Sequence, residues 1–177
     1  MKIECLGDSI TEGWITDFYG LGWKGHVTYP KTLASELCGA EVKNLGISGS
    51  LIREDSYKRL SGNADIVILL YGLNNYMTGK NPLEYLRSNA REIMKMSKLF
   101  MVNYPLHPDG EYAYWVERTN MCISEIAEEM KVPLLDAKSH FDSLMHERPQ
   151  EKFFGSDLVH LSESGYIELG KFIAENI

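Results

Sequence analysis

Two short segments, far apart in the chain, carry the residue types of nucleophilic acyl transfer. Gly7-Asp8-Ser9-Ile10 holds a hydroxyl, and Asp157-Leu158-Val159-His160 holds a carboxylate and an imidazole three residues apart. A serine hydroxyl is a poor nucleophile at neutral pH. It needs a base that titrates near the working pH, and that base needs an acceptor to fix its tautomer and stabilise the imidazolium. His160 and Asp157 are of the right types for those two roles. Each segment also has a plainer reading: Ser9 as the cap of a helical turn, Asp157 as a turn residue, and His160 as a surface or satisfied core histidine.

Acyl transfer also builds charge on the carbonyl oxygen, which a preorganised N–H donor can stabilise. Asn44-Leu45-Gly46-Ile47-Ser48-Gly49 and Gly72-Leu73-Asn74-Asn75 offer such donors, the Gly49 backbone N–H and the Asn74 side-chain amide. Singly, Gly and Asn are the ordinary residues of turns and helix starts. Four such blocks in one order, each at a strand end or at the start of the last helix, are harder to explain as turns.

The other histidines lack a carboxylate at useful spacing. His26 lies in a long loop, His107 follows a strand, and His140 and His146 flank an apparent helix; all four read as loop or surface residues. No His, Asp and Glu set has metal-ligand spacing, and His107-Pro108-Asp109 is too isolated to bind zinc, so neither a metal nor an organic cofactor is expected. A flavin or nucleotide site is disfavoured because no Gly-x-Gly-x-x-Gly or phosphate loop follows the first strand.

The elements that must position these residues are legible from hydrophobic periodicity. Apolar runs at Lys2 to Leu6, Ile66 to Tyr71, Leu99 to Tyr104 and Val132 to Leu135 read as buried strands, with a weaker fifth at Glu41 to Leu45. Helical periodicity covers Tyr29 to Cys38, Pro82 to Ser97, Tyr112 to Met130 and Ser162 to Ile177. Alternation of this kind predicts an α/β protein, a three-layer α/β/α sandwich on a mostly parallel five-stranded sheet with ligands at the carboxyl ends of its strands. The stretches Gly13 to Thr28 and Pro105 to Gly110 follow strand ends and are expected to be site-forming loops.

Aromatic residues crowd those loops: Trp14, Phe18, Tyr19 and Trp23 after Ser9, and Tyr71, Tyr76, Tyr104, Tyr112, Tyr114 and Trp115 near other strand ends. They suit sugar stacking or acyl-chain packing, and equally the closing of a small core at its rim. Trp14, Asn75 and Tyr104 are the residues expected to meet substrate.

The 177 residues are expected to form one domain over 1–177, large enough to bury a core without disulfides or metals. A net charge of -7 would repel nucleic acid. Cys5, Cys38 and Cys122 are odd in number and widely spaced, as for buried thiols in a reducing compartment. The sequence offers neither a secretory leader nor a run long enough to span a membrane, so a cytoplasmic protein without stable membrane association is expected.

Together, Gly7-Asp8-Ser9, Gly49, Asn74 and Asp157-x-x-His160 resemble the four blocks of the SGNH hydrolases, also called the GDSL esterase/lipase family, over nearly the whole chain. The resemblance implies a flavodoxin-like sheet and a serine esterase acting on small acyl esters, an O-acetyl carbohydrate being one such substrate. It implies Ser9 as nucleophile, His160 as base, Asp157 as its partner, and Ser9 N–H, Gly49 N–H and Asn74 as oxyanion donors. A lysophospholipase, thioesterase or acyltransferase on the same fold, or a noncatalytic ligand-binding module, are the alternatives. One position departs from the pattern: Asn75 stands where the family commonly has aspartate, which is expected to alter loop bonding or substrate contacts.

Overall fold

The run at 66–70 is wholly apolar and that at 2–7 is apolar apart from Lys2 and Glu4, and in the computed structural model Ile3, Cys5 and Leu6 of the first and Val67, Ile68 and Leu70 of the second are fully buried. A strand covered on both faces belongs in the middle of a parallel sheet. The structure describes residues 1–17, 19–149 and 152–177. Phe18, counted above among the loop aromatics, lies outside the described residues.

The chain opens with β1 (Lys2–Gly7), a short helix α1 (Ser9–Glu12) and a hairpin of β2 (Trp14–Thr16) and β3 (Gly22–Lys24). It continues through α2 (Tyr29–Glu36), β4 (Glu41–Gly46), a 3-10 turn at Ser56–Arg59, β5 (Ile66–Leu70), α3 (Leu73–Met77) and α4 (Leu83–Met94). The remainder is β6 (Lys98–Val102), α5 (Ala113–Met130), β7 (Leu134–Leu135), α6 (Ala137–Glu147) and α7 (Glu163–Glu175).

The five-stranded sheet has the order β4-β1-β5-β6-β7, every pair parallel. Counting sheet strands alone, this is the flavodoxin-like order 2-1-3-4-5. From β1 the chain crosses to β4 on one side and from β5 to β6 and β7 on the other. Right-handed crossovers therefore put α2 on one face and α4 and α5 on the other. α7 packs against α2, and α4 against α5. The order of strands reverses between β1 and β5, so the crevice for a ligand lies at their carboxyl ends, where Gly7 and Leu70 stand in register.

The weak sequence signal of β4 has a physical source. It is an edge strand with Glu41, Lys43 and Asn44 exposed, so it lacks the continuous apolar run of the inner strands. Glu4, on the adjacent β1, is a buried carboxylate that accepts from the Ser61 N–H at 2.9 Å and faces Lys43 Nζ at 3.6 Å. Helix starts follow their caps: Thr28 accepts from Lys31 N ahead of α2, with Pro30 in the first turn, and Ser162 accepts from Gly165 N ahead of α7.

Three expectations are corrected. The stretch from Gly13 to Thr28 contains the β2–β3 hairpin rather than a loop alone. His140 and His146 lie inside α6 rather than beside it. Cys38 is exposed, while Cys5 and Cys122 are buried free thiols. No helix among the described residues is long and apolar enough to cross a membrane.

Candidate active site

Ser9 begins α1, where the chain leaves β1. The turn is tight because two glycines let α1 lie against the sheet. A Cβ at Gly7 would stand 2.0 Å from Thr11 Oγ1 and 2.3 Å from the Leu70 carbonyl, and one at Gly46 would stand 2.0 Å from the Glu12 nitrogen. Asp8 caps the helix, its Oδ1 accepting from Ile10 N at 3.2 Å. Its other oxygen accepts from the Tyr104 hydroxyl at 2.5 Å. Burial pushes the Asp8 carboxyl up to about 6, against the opposing pull of the Tyr104 and Ile10 donors and of nearby His160.

The partner of Ser9 comes from the other end of the chain. A bridge between Phe154 and Leu161, and the Gly155 N–H donating to the His160 carbonyl at 2.7 Å, fold this segment back on itself. Leu158 at its turn is left-handed, φ 55°, which for a residue with a Cβ costs roughly 1–2 kcal/mol. The turn brings the N–H groups of Val159 and His160 to Asp157 Oδ1 at 3.1 and 3.0 Å. Asp157 Oδ2 is then 2.6 Å from His160 Nδ1, and His160 Nε2 is 2.9 Å from Ser9 Oγ. The His160 and Asp157 side chains are 19% and 25% exposed, so solvent and a small substrate can reach them. Burial alone would raise the Asp157 carboxyl, but the hydrogen bond and charge of His160 and the two backbone donors outweigh it and hold it below its ordinary value.

The end of β4 and the loop after it are tied to the Ser9 turn, and α3 is tied to that loop. Asn44 Nδ2 donates to the Thr11 carbonyl at 2.8 Å, and Ser48 N donates to Glu12 Oε2 at 2.7 Å. Gly49 follows with φ 69°, a left-handed position that suits glycine. Asn74, in the first turn of α3, donates through Nδ2 to the Ser50 carbonyl at 3.0 Å. Among the described residues, neither the Ser9 nor the Gly49 backbone N–H donates to a protein acceptor.

A profile of the GDSL-like lipase/acylhydrolase family matches residues 5–166. The chain belongs to that family. As a GDSL acylhydrolase it is a carboxylic ester hydrolase, whose substrates are small-molecule esters. Solved structures share its fold. A lipase/acylhydrolase from Enterococcus faecalis has a TM-score of 0.74 at 21% identity, over 99% of this chain and 94% of that one. An aryl esterase from M. smegmatis gives 0.75 at 21%, over 98% and 96%, and Est24, a carbohydrate acetylesterase from Sinorhizobium meliloti, gives 0.73 at 20%, over 98% and 96%. No curated protein matches the sequence.

The GDSL fold brings Ser9, Asp157 and His160 together, while two of the three expected substrate contacts, Asn75 and Tyr104, turn inward. Asn75 is 1% exposed, and its amide clamps the backbone of Ile52, accepting from its N–H at 2.9 Å and donating to its carbonyl at 3.0 Å. The amide offers both a donor and an acceptor here, which an ionised aspartate would not. Tyr104 is 2% exposed, with its hydroxyl turned inward to Asp8. Trp14 belongs to the hairpin: its indole packs over Gly22, and its carbonyl accepts from the Tyr166 hydroxyl at 2.6 Å. A groove of about 1060 Å3 includes Leu106, Phe153, Phe154 and Leu158 in its walls, but neither Ser9 nor His160.

Supporting roles that sequence reasoning did not assign fall to Asp8, Glu12, Tyr71 and Asn120. The Tyr71 hydroxyl donates to Ser50 Oγ at 2.7 Å beside Gly49, and Asn120 brackets the Tyr104 backbone, accepting from its N–H at 2.7 Å and donating to its carbonyl at 2.8 Å. Their signal is a polar residue inside an apolar run or helix face, which by itself names no partner. No group of His, Cys, Asp and Glu among the described residues has the arrangement of a metal site.

Proposed function

We propose that the enzyme is a serine esterase that hydrolyses small acyl esters, O-acetylated carbohydrates above all, through an acyl-enzyme on Ser9. The observation that carries this reading is the unbroken hydrogen-bonded series from Asp157 through His160 to Ser9. Asp157 accepts the Nδ1 proton and so leaves Nε2 as the basic nitrogen facing Ser9. Ser9 Oγ attacks the ester carbonyl while Nε2 takes its proton. The oxyanion receives hydrogen bonds from the Ser9 and Gly49 N–H groups and from Asn74. Collapse breaks the bond to the alcohol, which leaves with the proton held by His160. Water, deprotonated by the same nitrogen, then attacks the acyl-enzyme, and the acid departs as Ser9 regains its proton.

Several features favour a small, uncharged substrate. Ser9, Asp157 and His160 are only partly buried, so an acetyl ester on a bulky alcohol has access. The net charge of -7 disfavours polyanionic esters. A carbohydrate acetylesterase is among the proteins similar in fold.

A panel of acetylated sugars, acyl-CoA and lysophospholipid, assayed on the wild type and on Ser9→Ala, tests the proposal. Turnover highest on acetyl sugars and absent from Ser9→Ala supports it. Preference for thioester or lysophospholipid would overturn the substrate class, and products acylated on an added sugar acceptor would point to transfer instead.

A further inference from the structure

Asp8 is a buried carboxylate beside the nucleophile, and the reaction above gives it no task. Its two oxygens hold different elements. Oδ1 accepts from Ile10 N at the start of α1, and Oδ2 accepts from the Tyr104 hydroxyl at 2.5 Å. The same phenol oxygen accepts from the Leu73 N–H at 3.4 Å, and Leu73 precedes Asn74 in the first turn of α3. Tyr104 is rigidly mounted, because Asn120 binds both its N–H and its carbonyl. A continuous path therefore runs from the Ser9 turn, through Asp8 and Tyr104, to the turn that carries Asn74. It crosses the sheet at the point where strand order reverses between β1 and β5.

We infer that Asp8 and Tyr104 are a positioning pair that sets the placement of Ser9 relative to Asn74. The inference rests on the reading of Ser9 as nucleophile and Asn74 as oxyanion donor. α1 and α3 are too short to fix their own orientation, with only four and five residues. A shared buried anchor supplies what they lack. The titratable groups coupled to Asp8 are His160, Tyr104, Tyr29 of α2, Tyr71 beyond β5 and Tyr166 of α7. Burial raises all four phenols, so they act on Asp8 as neutral neighbours, and His160 is the one in this set that can carry positive charge. Asp8 thus holds the two turns through its hydrogen bonds to Ile10 and Tyr104.

The test is steady-state hydrolysis of p-nitrophenyl acetate across pH by the wild type, Ser9→Ala, Tyr104→Phe, Asp8→Ala and Asp8→Asn, with thermal melts to verify folding. Tyr104→Phe keeps the ring and removes the phenol oxygen that joins Asp8 to Leu73. Its kcat is expected to fall about tenfold to a hundredfold, with KM within about threefold, as for a misplaced transition-state contact. Asp8→Ala should lose at least as much. Asp8→Asn should recover about tenfold over Asp8→Ala, since an amide still accepts from Ile10 and reaches the phenol. Wild-type kcat in Tyr104→Phe and Asp8→Ala, or no recovery in Asp8→Asn over Asp8→Ala, alongside an inactive Ser9→Ala, would overturn the positioning role alone. Activity persisting in Ser9→Ala would instead overturn the reading beneath it.

Discussion

Asn74 gives one amide hydrogen to the Ser50 carbonyl at 3.0 Å, which fixes the plane of the amide and aims its second hydrogen away from that bond. An amide held this way needs no reorganisation when charge develops on a substrate oxygen.

Asn74→Ala should therefore lower kcat by about a hundredfold to a thousandfold, with a smaller change in KM, which is the effect of removing one oxyanion donor. Steady-state kinetics on p-nitrophenyl acetate decide it. An unchanged kcat would remove Asn74 from the reaction.

Asn75, its neighbour, should behave in the opposite way. Asn75→Ala leaves the buried N–H and carbonyl of Ile52 without partners, at a cost of about 1–3 kcal/mol for each group. Urea unfolding should show a loss of roughly 2–5 kcal/mol. Stability within a few tenths of wild type would mean that the clamp is replaced by water.

Asp157→Asn should reduce kcat on the order of 10⁴-fold with the fold intact, because an amide can donate to His160 Nδ1 and so turn the Nε2 proton toward Ser9. Since the Asp157 carboxyl lies below its ordinary value, it stays ionised through mildly acidic pH.

Asp8 gives a stability signature with a definite sign. Its carboxyl is raised from 3.8 to about 6 in the folded protein, so its favourable contribution is complete below pH about 4 and is lost as pH rises through about 6. Comparing Asp8→Asn with the wild type by urea unfolding, the balance should move in favour of Asn by about 3 kcal/mol between pH 4 and 7. A difference independent of pH would show that Asp8 does not titrate in this window.

Much of this organisation was legible in the chain, and the parts that were not share physical causes. β5 announces itself because both faces are covered and every position is apolar, and β1 because only Lys2 and Glu4 interrupt its apolar run, whereas the edge strand β4 buries too little to leave a strong pattern and the two-residue β7 leaves only a short one. The serine, the carboxylate and the imidazole stood out only as a set with Gly49 and Asn74, since each alone has an ordinary structural reading. Asn75 and Tyr104 were placed at the substrate because a polar or aromatic residue at a strand end can turn either way, and only packing decides that both turn inward. The hairpin escaped notice because its strands are three residues each and partly or fully exposed.

The nucleophile itself is tested most directly by labelling with a fluorophosphonate probe, locating the adduct by mass spectrometry, and following p-nitrophenyl acetate hydrolysis in the same samples of wild type and Ser9→Ala. The adduct is expected on Ser9, with both labelling and hydrolysis abolished in Ser9→Ala. Labelling of another serine, or hydrolysis that survives the substitution, would contradict the assignment of Ser9.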